Sequence, residues 1–319
     1  MPAWPIWLLL HMGLAAGLTA CARSYALHRK LLDEPGERRS HASATPRGGG
    51  ISIVIALLLA AAWLAWRFHE HRMMAACYGV GLAMVAGIGW LDDHRPLSPW
   101  LRLAVHGLAA ALLAAGLWRE GGNYWQVLAG FLLAVGLTNI WNFMDGINGL
   151  ATSQAMLIAG GLGFVLGPPW HWLALALAGA SLGFLPFNFP RARIFLGDVG
   201  SGSLGFSLAT LLALALEQGS NMLLLALPAA AFLVDAPFTL AWRILNRQRW
   251  WTPHVEHAYQ RWARRWGHAP VTIGFFLFTS AAATAGLAME IRAADGLAAF
   301  IICYGVAAGM WSWSRRLTD

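Results

Sequence analysis

The residues best suited to chemistry in this sequence are acids and amides that interrupt long apolar runs. Residues 139–150, NIWNFMDGINGL, lie between two such runs and contain Asn142, Asp145 and Asn148. Further acids lie at or near the ends of apolar runs: Asp92, Asp93, Asp198 and Asp235. A buried carboxylate or amide without a partner costs about 1–3 kcal/mol or more, so packing alone rarely explains it. Carboxylates in this setting can bind a divalent cation, orient a nucleophile or move a proton.

The adjacent acids Asp92 and Asp93 end one apolar run. Successive residues of a helix point about 100° apart. We therefore expect one acid to face a metal or a nucleophile while neighbouring donors hold the other; the other interpretation is a solvated helix cap. Asn139, Asn142 and Asp145 are spaced three apart and share a face at helical spacing, unless they form a polar loop that only turns the chain.

Two further segments combine glycine with charged residues. In residues 41–50, HASATPRGGG, the proline fixes φ and the glycines allow a close approach of the backbone, which with Arg47 suits a phosphate or a nucleotide. In residues 187–203, FNFPRARIFLGDVGSGS, Asp198 comes just before an apolar helix, and its carboxylate can bind Mg²⁺ together with substrate phosphates. The other interpretations are a flexible helix entry for the first segment and an N-cap Asp for the second.

A third segment lies further along the chain, where Asp235 and Arg243 precede PHVEHAYQ, residues 253–260. His254 and His257 are three apart and can lie on one helical face, where they could bind a metal or donate hydrogen bonds to a pyrophosphate. Zinc is the weaker choice because no third soft ligand is near. The surrounding basic residues would attract anionic substrates, but they also follow the positive-inside rule.

The elements that must position these residues are membrane-spanning helices. The chain of 319 residues is 58% hydrophobic and 12% charged, with a mean hydropathy of +0.55, whereas a soluble domain carries about 25% charged residues. Many apolar stretches approach the ~20 residues that span a bilayer, and the alternating strands of a β-barrel are absent from the sequence. The sequence therefore predicts an all-α polytopic bundle that forms one integral-membrane domain over residues 1–319. The three cysteines show no metal spacing and no disulfide framework.

About eleven transmembrane helices are predicted, over residues 4–20, 49–66, 73–91, 99–117, 125–141, 150–167, 171–187, 199–216, 221–242, 271–290 and 295–313. One alternate set of connections holds eighteen of the 22 Lys and Arg residues, and the other set holds four. This asymmetry predicts a periplasmic N-terminus and a cytoplasmic C-terminus. It also brings the acidic motifs and residues 243–270 to the cytoplasmic side, which supports one cytoplasmic active site.

These motifs resemble, in their order and their side of the membrane, those of the polyprenyl-phosphate N-acetylhexosamine-1-phosphate transferases, glycosyltransferase family 4. The superfamily includes the phospho-MurNAc-pentapeptide translocase and the enzymes that start O-antigen, enterobacterial common antigen and teichoic-acid linkage units. The resemblance covers nearly the whole chain. Eleven spans and the HAYQ sequence are more similar to the O-antigen-initiating members than to the ten-span translocase. It is carried by TPRGGG, the Asp92 and Asp93 pair, NIWNFMDGINGL, FNFPRARIFLGDVGS, Asp235 with Arg243, and HVEHAYQ.

The resemblance implies a role for each matched residue. Asp198 matches the Mg²⁺-binding Asp of the family, and Phe195 matches the aromatic that stacks on uracil. Gly146 and Asn148 match the loop that binds the uracil edge, although many members have Asp at the second position. The implied catalytic residues are Asp92, Asp93, Asp145, His254 and His257. The implied substrate-binding residues are Thr45, Arg47, Gly48, Asn139, Asn142, Gly146, Asn148, Asn188, Phe195, Asp235 and Arg243.

The resemblance also implies the reaction, in which a HexNAc-1-phosphate passes from a UDP-N-acetylhexosamine to undecaprenyl or another polyprenyl phosphate and UMP is released. This would start O-antigen or other cell-wall glycan synthesis at the bacterial inner membrane. HVEHAYQ in place of the clustered histidines of the translocase argues against a muramyl-pentapeptide donor. The implied cofactor is Mg²⁺, for which Mn²⁺ could substitute. The implied partners are the donor, the lipid and the bilayer; a homodimer is compatible with this interpretation, and no nucleic acid is expected.

Two routes for the reaction are open at the level of sequence. The lipid phosphate attacks directly, with Asp92 or Asp93 orienting or deprotonating it, or one of these acids attacks first and forms a covalent intermediate. In either route an apolar groove between helices should lead the lipid tail to the acidic pair.

A different class of function, a transporter or flippase for an anionic lipid or a nucleotide sugar, would also need intramembrane acids and basic loops. The polar motifs cluster on one face rather than at the membrane midplane, and the sequence shows no internal repeat. Both observations disfavour transport.

Overall fold

The computed structural model describes residues 3–33, 44–249, 251–252 and 254–317, which form a bundle of helices. In chain order the helices are α1 (Trp4–His28), α2 (Ile51–Arg67), α3 (Arg72–His94), α4 (Pro99–Glu120), α5 (Tyr124–Phe143), α6 (Leu150–Val165), α7 (Trp170–Asn188), α8 (Asp198–Glu217), α9 (Met222–Ala226), α10 (Ala230–Leu245), α11 (Ala258–Trp266), α12 (His268–Ile291) and α13 (Leu297–Ser314). Short 3₁₀ turns precede α3 and α10 (His69–His71 and Leu227–Ala229). Two short strands, β1 (Leu32–Asp33) and β2 (Thr45–Pro46), pair antiparallel.

The all-α, multi-pass architecture predicted from the sequence is confirmed. Within the described residues, nine helical segments are long and apolar enough to cross a membrane, and α2 and α6 are shorter apolar helices of 17 and 16 residues. Each of the eleven predicted spans coincides with helical structure, while the number of membrane crossings stays a prediction. The span predicted at 221–242 is divided by the 3₁₀ turn that contains Pro228, since proline lacks the N–H that would continue a regular helix.

One helix was not predicted. α11 lies inside residues 243–270, which the sequence analysis treated as a basic loop. Its sequence, AYQRWARRW, places Trp262 and Trp266 four residues apart on one face and arginines on the other. The amphipathic pattern could have indicated this helix, but the nine-residue segment is too short to be identified as a membrane span.

The core is built around α8. In its most apolar window 94% of the residues are buried, and it packs against α3, α5, α6 and α7. Small residues allow these close approaches: a methyl group at Gly89 of α3 would lie 2.5 Å from the carbonyl oxygen of Asp198, and one at Gly205 of α8 would meet the backbone of Leu137. The N-terminus of the most buried helix is therefore fixed tightly against its neighbours.

The connections that carry the polar motifs meet at one end of the bundle. Gly49 N–H donates to the Phe195 carbonyl at 2.9 Å, and Asn148 Nδ2 donates to the Pro190 carbonyl at 3.0 Å. The Tyr259 hydroxyl of α11 donates to the Phe143 carbonyl at 2.9 Å. The expected gathering of the motifs at one end of the bundle is confirmed among these residues.

The side of the membrane that this end faces stays a prediction, which cysteine labelling tests. We expect single cysteines beside Arg95, Arg193 and Arg261, in protein lacking the three native cysteines, to resist a membrane-impermeant thiol reagent in intact cells. The fourth loop of this prediction, around Arg38, lies outside the described residues. A cysteine at Gly121, in the turn after α4, is the positive control and should be labelled. Labelling beside any of the three arginines from outside would refute a single cytoplasmic site.

Candidate active site

A carboxylate at the end of α3 caps the N-terminus of α8. Asp93 is 5% exposed; its Oδ1 accepts the Asp198 N–H at 3.1 Å and its Oδ2 accepts the Val199 N–H at 3.2 Å. The first N–H groups of a helix have no partner within it, and the positive end of the helix dipole favours an anion there. Arg47 supports this anion, with its Nε 3.8 Å from Asp93 Oδ1 and hydrogen-bonded to the Asp93 carbonyl at 2.9 Å.

This cap decides the interpretation of Asp198. Gly197 occupies the N-cap position of α8, and Asp198 is the first helical residue, with no capping hydrogen bond from a side chain of the same segment. The N-cap interpretation of Asp198 is therefore wrong. Because Asp93 supplies the cap from another helix, the Asp198 carboxylate is left to face the adjacent cavity.

The other acid of the pair, Asp92, is held by different donors. It accepts the Leu97 N–H at 2.6 Å and Arg102 Nη1 at 2.8 Å. The same Arg102 nitrogen lies 2.9 Å from Asp198 Oδ2 and so links the two acids. The two acids differ in their contacts, but neighbouring donors hold both: Asp93 caps α8 from the cavity wall, and Asp92 anchors Arg102. That one acid of the pair faces a metal or a nucleophile stays a prediction.

Arg102 is a functional candidate that the sequence analysis missed, because it entered only the count of basic residues. Its guanidinium also contacts the amide of Asn142. Turning that amide so that its oxygen accepts from Arg102 places its nitrogen 3.2 Å from Asp198 Oδ1. The available signal was an arginine in the first turn of the helix that directly follows the acidic pair.

The acids and loops enclose a cavity of about 190 Å³. Its lining residues are Asp33, Arg47, Asp93, Asp145, Gly146, Ile147, Asn148, Asn188, Phe195, Gly197, Asp198, Gln260 and His268. Eight of the seventeen predicted site residues line this one cavity. Five lining residues were not predicted: Ile147, Gly197 and Gln260 lay in recognised motifs, whereas Asp33 and His268 did not.

The cavity wall contains more carboxyl groups than basic groups. Asp145 projects from the loop after α5, and burial together with the charges of Asp198 and Asp93 raises its pKa well above the usual carboxyl range. Arg47 is the arginine of the lining, and Arg102 lies just beside it. A site with more carboxylates than bases, and with oxygen donors from amides as well, is suited to a hard divalent cation.

This donor set fits Mg²⁺ or Mn²⁺ better than zinc. The described residues contain no group of three or more His, Cys, Asp or Glu side chains arranged as a ready-made metal site. Mg²⁺ is commonly held by one or two carboxylates, with substrate phosphates and water at the other positions. Asp198 and Asp145 line the cavity close to one another and cap no helix, so these two carboxylates would hold the ion.

Several predicted binding residues connect loops to one another. Asn188 accepts the Gly149 N–H at 2.7 Å and donates to the Ile194 carbonyl at 3.1 Å, which joins two loops behind the cavity. A methyl group at Gly146 would meet the Tyr259 hydroxyl, so only glycine allows α11 to approach there. Gly50 approaches the backbone of Gly200 in the same way. At Gly50 the close approach is to α8, while an approach of the rest of this glycine segment to a ligand stays a prediction.

The remaining predicted residues lie around the cavity. Thr45 is buried in β2, and Asn139 donates to the Val135 carbonyl of its own helix at 2.8 Å. Asn139 and Asn142 are helical as expected, whereas Asp145 lies beyond the end of α5. Gly48, at φ +88°, lines a second cavity of about 320 Å³ between α1, α2 and α3. Its walls are mainly apolar, and it shares Arg47 and Asp93 with the carboxylate cavity.

The histidine motif forms a separate cluster beside the cavity. Asp235 is 3% exposed and accepts the Ala258 and Tyr259 N–H groups at 2.9 and 3.0 Å, so it caps α11. His257 Nδ1 lies 3.3 Å from the same carboxylate. Arg243 is buried and contacts Glu256 and the Arg249 carbonyl. Asp235 and Arg243 therefore hold this loop in place, and neither lines the carboxylate cavity.

The expected helical face for His254 and His257 is not observed, because α11 begins only at Ala258. Their rings nevertheless stack with centroids 4.9 Å apart. Burial, with the nearby positive charges of His257 and Arg243, lowers the pKa of His254 to about 3, so this ring is neutral at physiological pH. The cluster adjoins the carboxylate cavity through Phe143, whose ring centroid lies 6.2 Å from that of His257.

Comparison with known proteins gives a consistent result. Residues 75–216, from α3 to α8, match the model of a family described as glycosyl transferase family 4. A probable undecaprenyl-phosphate N-acetylglucosaminyl 1-phosphate transferase of Bacillus subtilis is 30% identical over 268 residues, which cover 76% of this chain and 73% of the relative. An undecaprenyl-phosphate alpha-N-acetylglucosaminyl 1-phosphate transferase of Thermotoga maritima is 28% identical, with 82% and 83% covered. A phospho-N-acetylmuramoyl-pentapeptide-transferase of Synechococcus is 34% identical, with 61% and 62% covered.

The capping role of Asp235 generates a stability prediction. Asp235→Ala should lower the free energy of unfolding by about 2–4 kcal/mol, because two backbone N–H groups lose a charged acceptor inside the protein. Denaturant titration in detergent measures this, and faster hydrogen exchange over residues 254–260 locates it. Asp295→Ala is the matched control, since that exposed acid caps α13 through the Leu297 N–H alone and should cost less than about 1 kcal/mol. Equal losses in the two variants would contradict the assignment.

Proposed function

The chain belongs to glycosyl transferase family 4, and from this premise we propose that it transfers a HexNAc-1-phosphate from a UDP-N-acetylhexosamine to a polyprenyl phosphate, giving polyprenyl-PP-HexNAc and UMP. The names of its relatives support this reaction class. The observation that carries the proposal is the Asp198 carboxylate, which faces a polar cavity because Asp93 caps its helix. We further propose that the reaction starts a cell-surface polysaccharide, such as O-antigen, at the cytoplasmic face of the bacterial inner membrane.

The chemistry requires one exchange of bonds at phosphorus. An oxygen of the lipid phosphate attacks the β-phosphorus of the donor, the bond from that phosphorus to the bridging oxygen breaks, and UMP leaves with the bridging oxygen. Asp198, with Asp145 beside it, would hold Mg²⁺, which would supply charge neutralisation for the donor diphosphate. Arg47 and Arg102 flank the same space, and their guanidinium groups suit phosphate oxygens.

The contacts of the acidic pair favour direct attack by the lipid phosphate over a covalent enzyme intermediate. Both oxygens of Asp93 accept N–H groups of α8, so using one as a nucleophile would release the helix N-terminus. Asp92 is bonded through one oxygen to the Leu97 N–H and through the other to Arg102. We therefore assign Asp93 to fixing the site and Asp92 to orienting Arg102, and we propose no covalent adduct on either acid.

Two regions next to the reacting groups suit the two substrates, one the prenyl lipid and the other the nucleotide. The mainly apolar cavity between α1, α2 and α3 reaches Arg47 and Asp93, and it suits the entry of a prenyl tail whose phosphate meets these residues. On the other side, Phe195 contributes an aromatic side chain to the carboxylate cavity, and the loop of Gly146 and Asn148 provides polar backbone groups. These two walls suit uracil, and the adjoining histidine cluster suits the sugar end of the donor.

Transport of an anionic lipid or a nucleotide sugar is the alternative. It is disfavoured because the acids and arginines that form the site lie at one end of the described helices and not near their midpoints.

A donor screen with purified protein tests the proposal. UDP-GlcNAc, UDP-GalNAc and 6-deoxy-HexNAc nucleotides are supplied with polyprenyl phosphate and Mg²⁺, and UMP and lipid-linked product are quantified. UMP that appears in step with lipid product for at least one donor supports the transferase. A folded protein that binds donors but forms neither product would contradict it.

Asp198→Asn should lower turnover by at least about 10²-fold, because the amide keeps the shape of the side chain but removes the charge that holds Mg²⁺. Initial rates at saturating donor measure the effect. Asp295→Asn removes an exposed acid outside the cavity and should leave the rate within about twofold. Near-normal turnover of Asp198→Asn would show that the Asp198 carboxylate does not hold the metal ion.

Phe195→Ala should weaken the binding of UMP and of UDP-sugar together, by roughly 5- to 150-fold, if the ring stacks on uracil with about 1–3 kcal/mol. The affinity for polyprenyl phosphate should change little, because the lipid phosphate binds on the Asp93 side. Separate titrations of UMP and of lipid phosphate distinguish the two. Phe238→Ala, an exposed phenylalanine of α10, is the control. Unchanged UMP affinity in folded Phe195→Ala protein would show that this ring does not contact the base.

A further inference from the structure

A third cavity lies between α10, α11, α12 and α13, beside the histidine cluster, and Asp235, the cap of α11, is the polar residue of its wall. Its volume is about 210 Å³, and its walls are almost entirely apolar. The aromatic side chains of the wall are Trp262, Trp266, Phe275, Phe278, Trp311 and Trp313. Apolar cavities of about 150 Å³ already take up a benzene-sized ligand, so this cavity can hold part of a hydrocarbon chain.

Arginines stand directly against the walls of this cavity. The Arg315 guanidinium lies over the Trp311 ring, 4.8 Å from its centroid. Arg261 Nη1 donates to the Ser314 carbonyl at 3.1 Å, next to Trp313. Burial, and then the positive charge of Arg261, lower the pKa of Arg315. Positive charge is therefore crowded behind the Trp311 and Trp313 wall of the apolar cavity.

Hydrogen-bond donors in this region lack acceptors. Arg261 Nε, Arg315 Nε and Arg243 Nε are buried without a hydrogen-bond partner among the described residues, and so is Trp262 Nε1 in the cavity wall. The neighbouring acceptors leave these Nε groups unpaired: Asp235 caps α11, and Glu256 contacts Arg243 and lies 3.9 Å from Arg315 Nη1. Buried donors are almost always paired in folded proteins. Several unpaired donors in one place point to an anionic acceptor.

We propose that this region binds an anionic phospholipid of the bilayer, with its phosphate on Arg261 and Arg315 and one acyl chain in the tryptophan-lined cavity. α11 has the composition of a helix lying in the membrane interface, with tryptophans on one face and arginines on the other. Tryptophan and arginine together are typical of the headgroup level. A phospholipid satisfies the unpaired donors and fills the apolar cavity at the same time.

The occupant differs from the lipid acceptor of the proposed reaction. α11 separates the two regions, because Gln260 lines the carboxylate cavity while Trp262 and Trp266 line the apolar one. The acceptor phosphate has to reach the cavity of Asp198, which the groove between α1, α2 and α3 approaches. The phospholipid site would therefore act on the position of α11 and its histidine loop, not on the reacting phosphates.

Native mass spectrometry of the full-length protein in detergent tests the headgroup contact. The probes are a short-chain phosphatidylglycerol, the phosphatidylcholine with the same chains, and inorganic phosphate. We expect phosphatidylglycerol to bind at least about tenfold more tightly than phosphatidylcholine, and the double substitution Arg261→Gln with Arg315→Gln to remove that preference. The matched control, Arg265→Gln with Arg316→Gln, removes the same charge from exposed arginines in the neighbouring positions and should keep it.

A second pair of variants tests the chain contact without touching the arginines. A side chain at Gly274, in the cavity wall, would meet no atom within 4 Å at its Cβ, so Gly274→Leu fills the cavity without a clash. It should weaken phosphatidylglycerol binding by about tenfold or more, whereas Gly305→Leu, also unobstructed but outside the wall, should not. Thermal unfolding of each lipid-free variant confirms that it is folded.

Three outcomes would overturn the proposal. Equal binding of the two phospholipids would show that the arginines do not select an anionic headgroup. Binding of inorganic phosphate as tight as that of phosphatidylglycerol would show that the acyl chain does not contribute. A loss of polyprenyl-phosphate binding in Gly274→Leu would assign the cavity to the acceptor. Failure of UMP release would contradict the proposed reaction but leave the phospholipid measurement unaffected, so the two proposals can fail separately.

Discussion

The contact between the Asp93 carboxylate and the N-terminus of α8 is the interaction on which the site depends. α8 is the most buried helix of the described residues, and the first N–H groups of a helix have no partner within it. Hydrogen bonds to a charged acceptor contribute about 1.5–3 kcal/mol each, and Asp93 accepts two of them at 3.1 and 3.2 Å. Because the end of α3 and the start of α8 are fixed together, Arg47, Asp92 and Asp198 come within reach of one cavity.

A second helix is also capped by an acid from another helix. Asp235 of α10 accepts the first N–H groups of α11, as Asp93 does for α8. Two acids of the sequence motifs therefore position helices, while Asp198 and Asp145 remain directed into the cavity. The site uses both kinds of acid, since the first N–H groups of each capped helix need acceptors and, in the proposed reaction, the donor phosphates would need a cation.

The sequence predicts the helical architecture and most of the cavity lining because both follow from local pattern. Apolar runs of spanning length identify the helices, and Asp145 and Asp198 stand out because acids are costly beside such runs. A helix cap supplied by a different helix could not be predicted, since Asp93 and Asp198 are 105 residues apart and no period in the sequence links them. Arg102 was missed for the same reason: its partners Asp92 and Asp198 become neighbours only after α3, α4 and α8 have packed. The loop conformation of His254 could not be predicted either. The spacing of His254 and His257 is compatible with a helix, but α11 begins only at Ala258, where Asp235 caps it.

The central claim is that the site acts on phosphorus and transfers the sugar together with its phosphate. Donor labelled with ³²P at the β-phosphate, incubated with polyprenyl phosphate and purified protein, tests this directly. The account predicts that the label enters the lipid product and that the released UMP is unlabelled, while label placed at the α-phosphate leaves in UMP. Release of labelled UDP with an unlabelled lipid-linked sugar would show attack at the sugar carbon and would contradict the account.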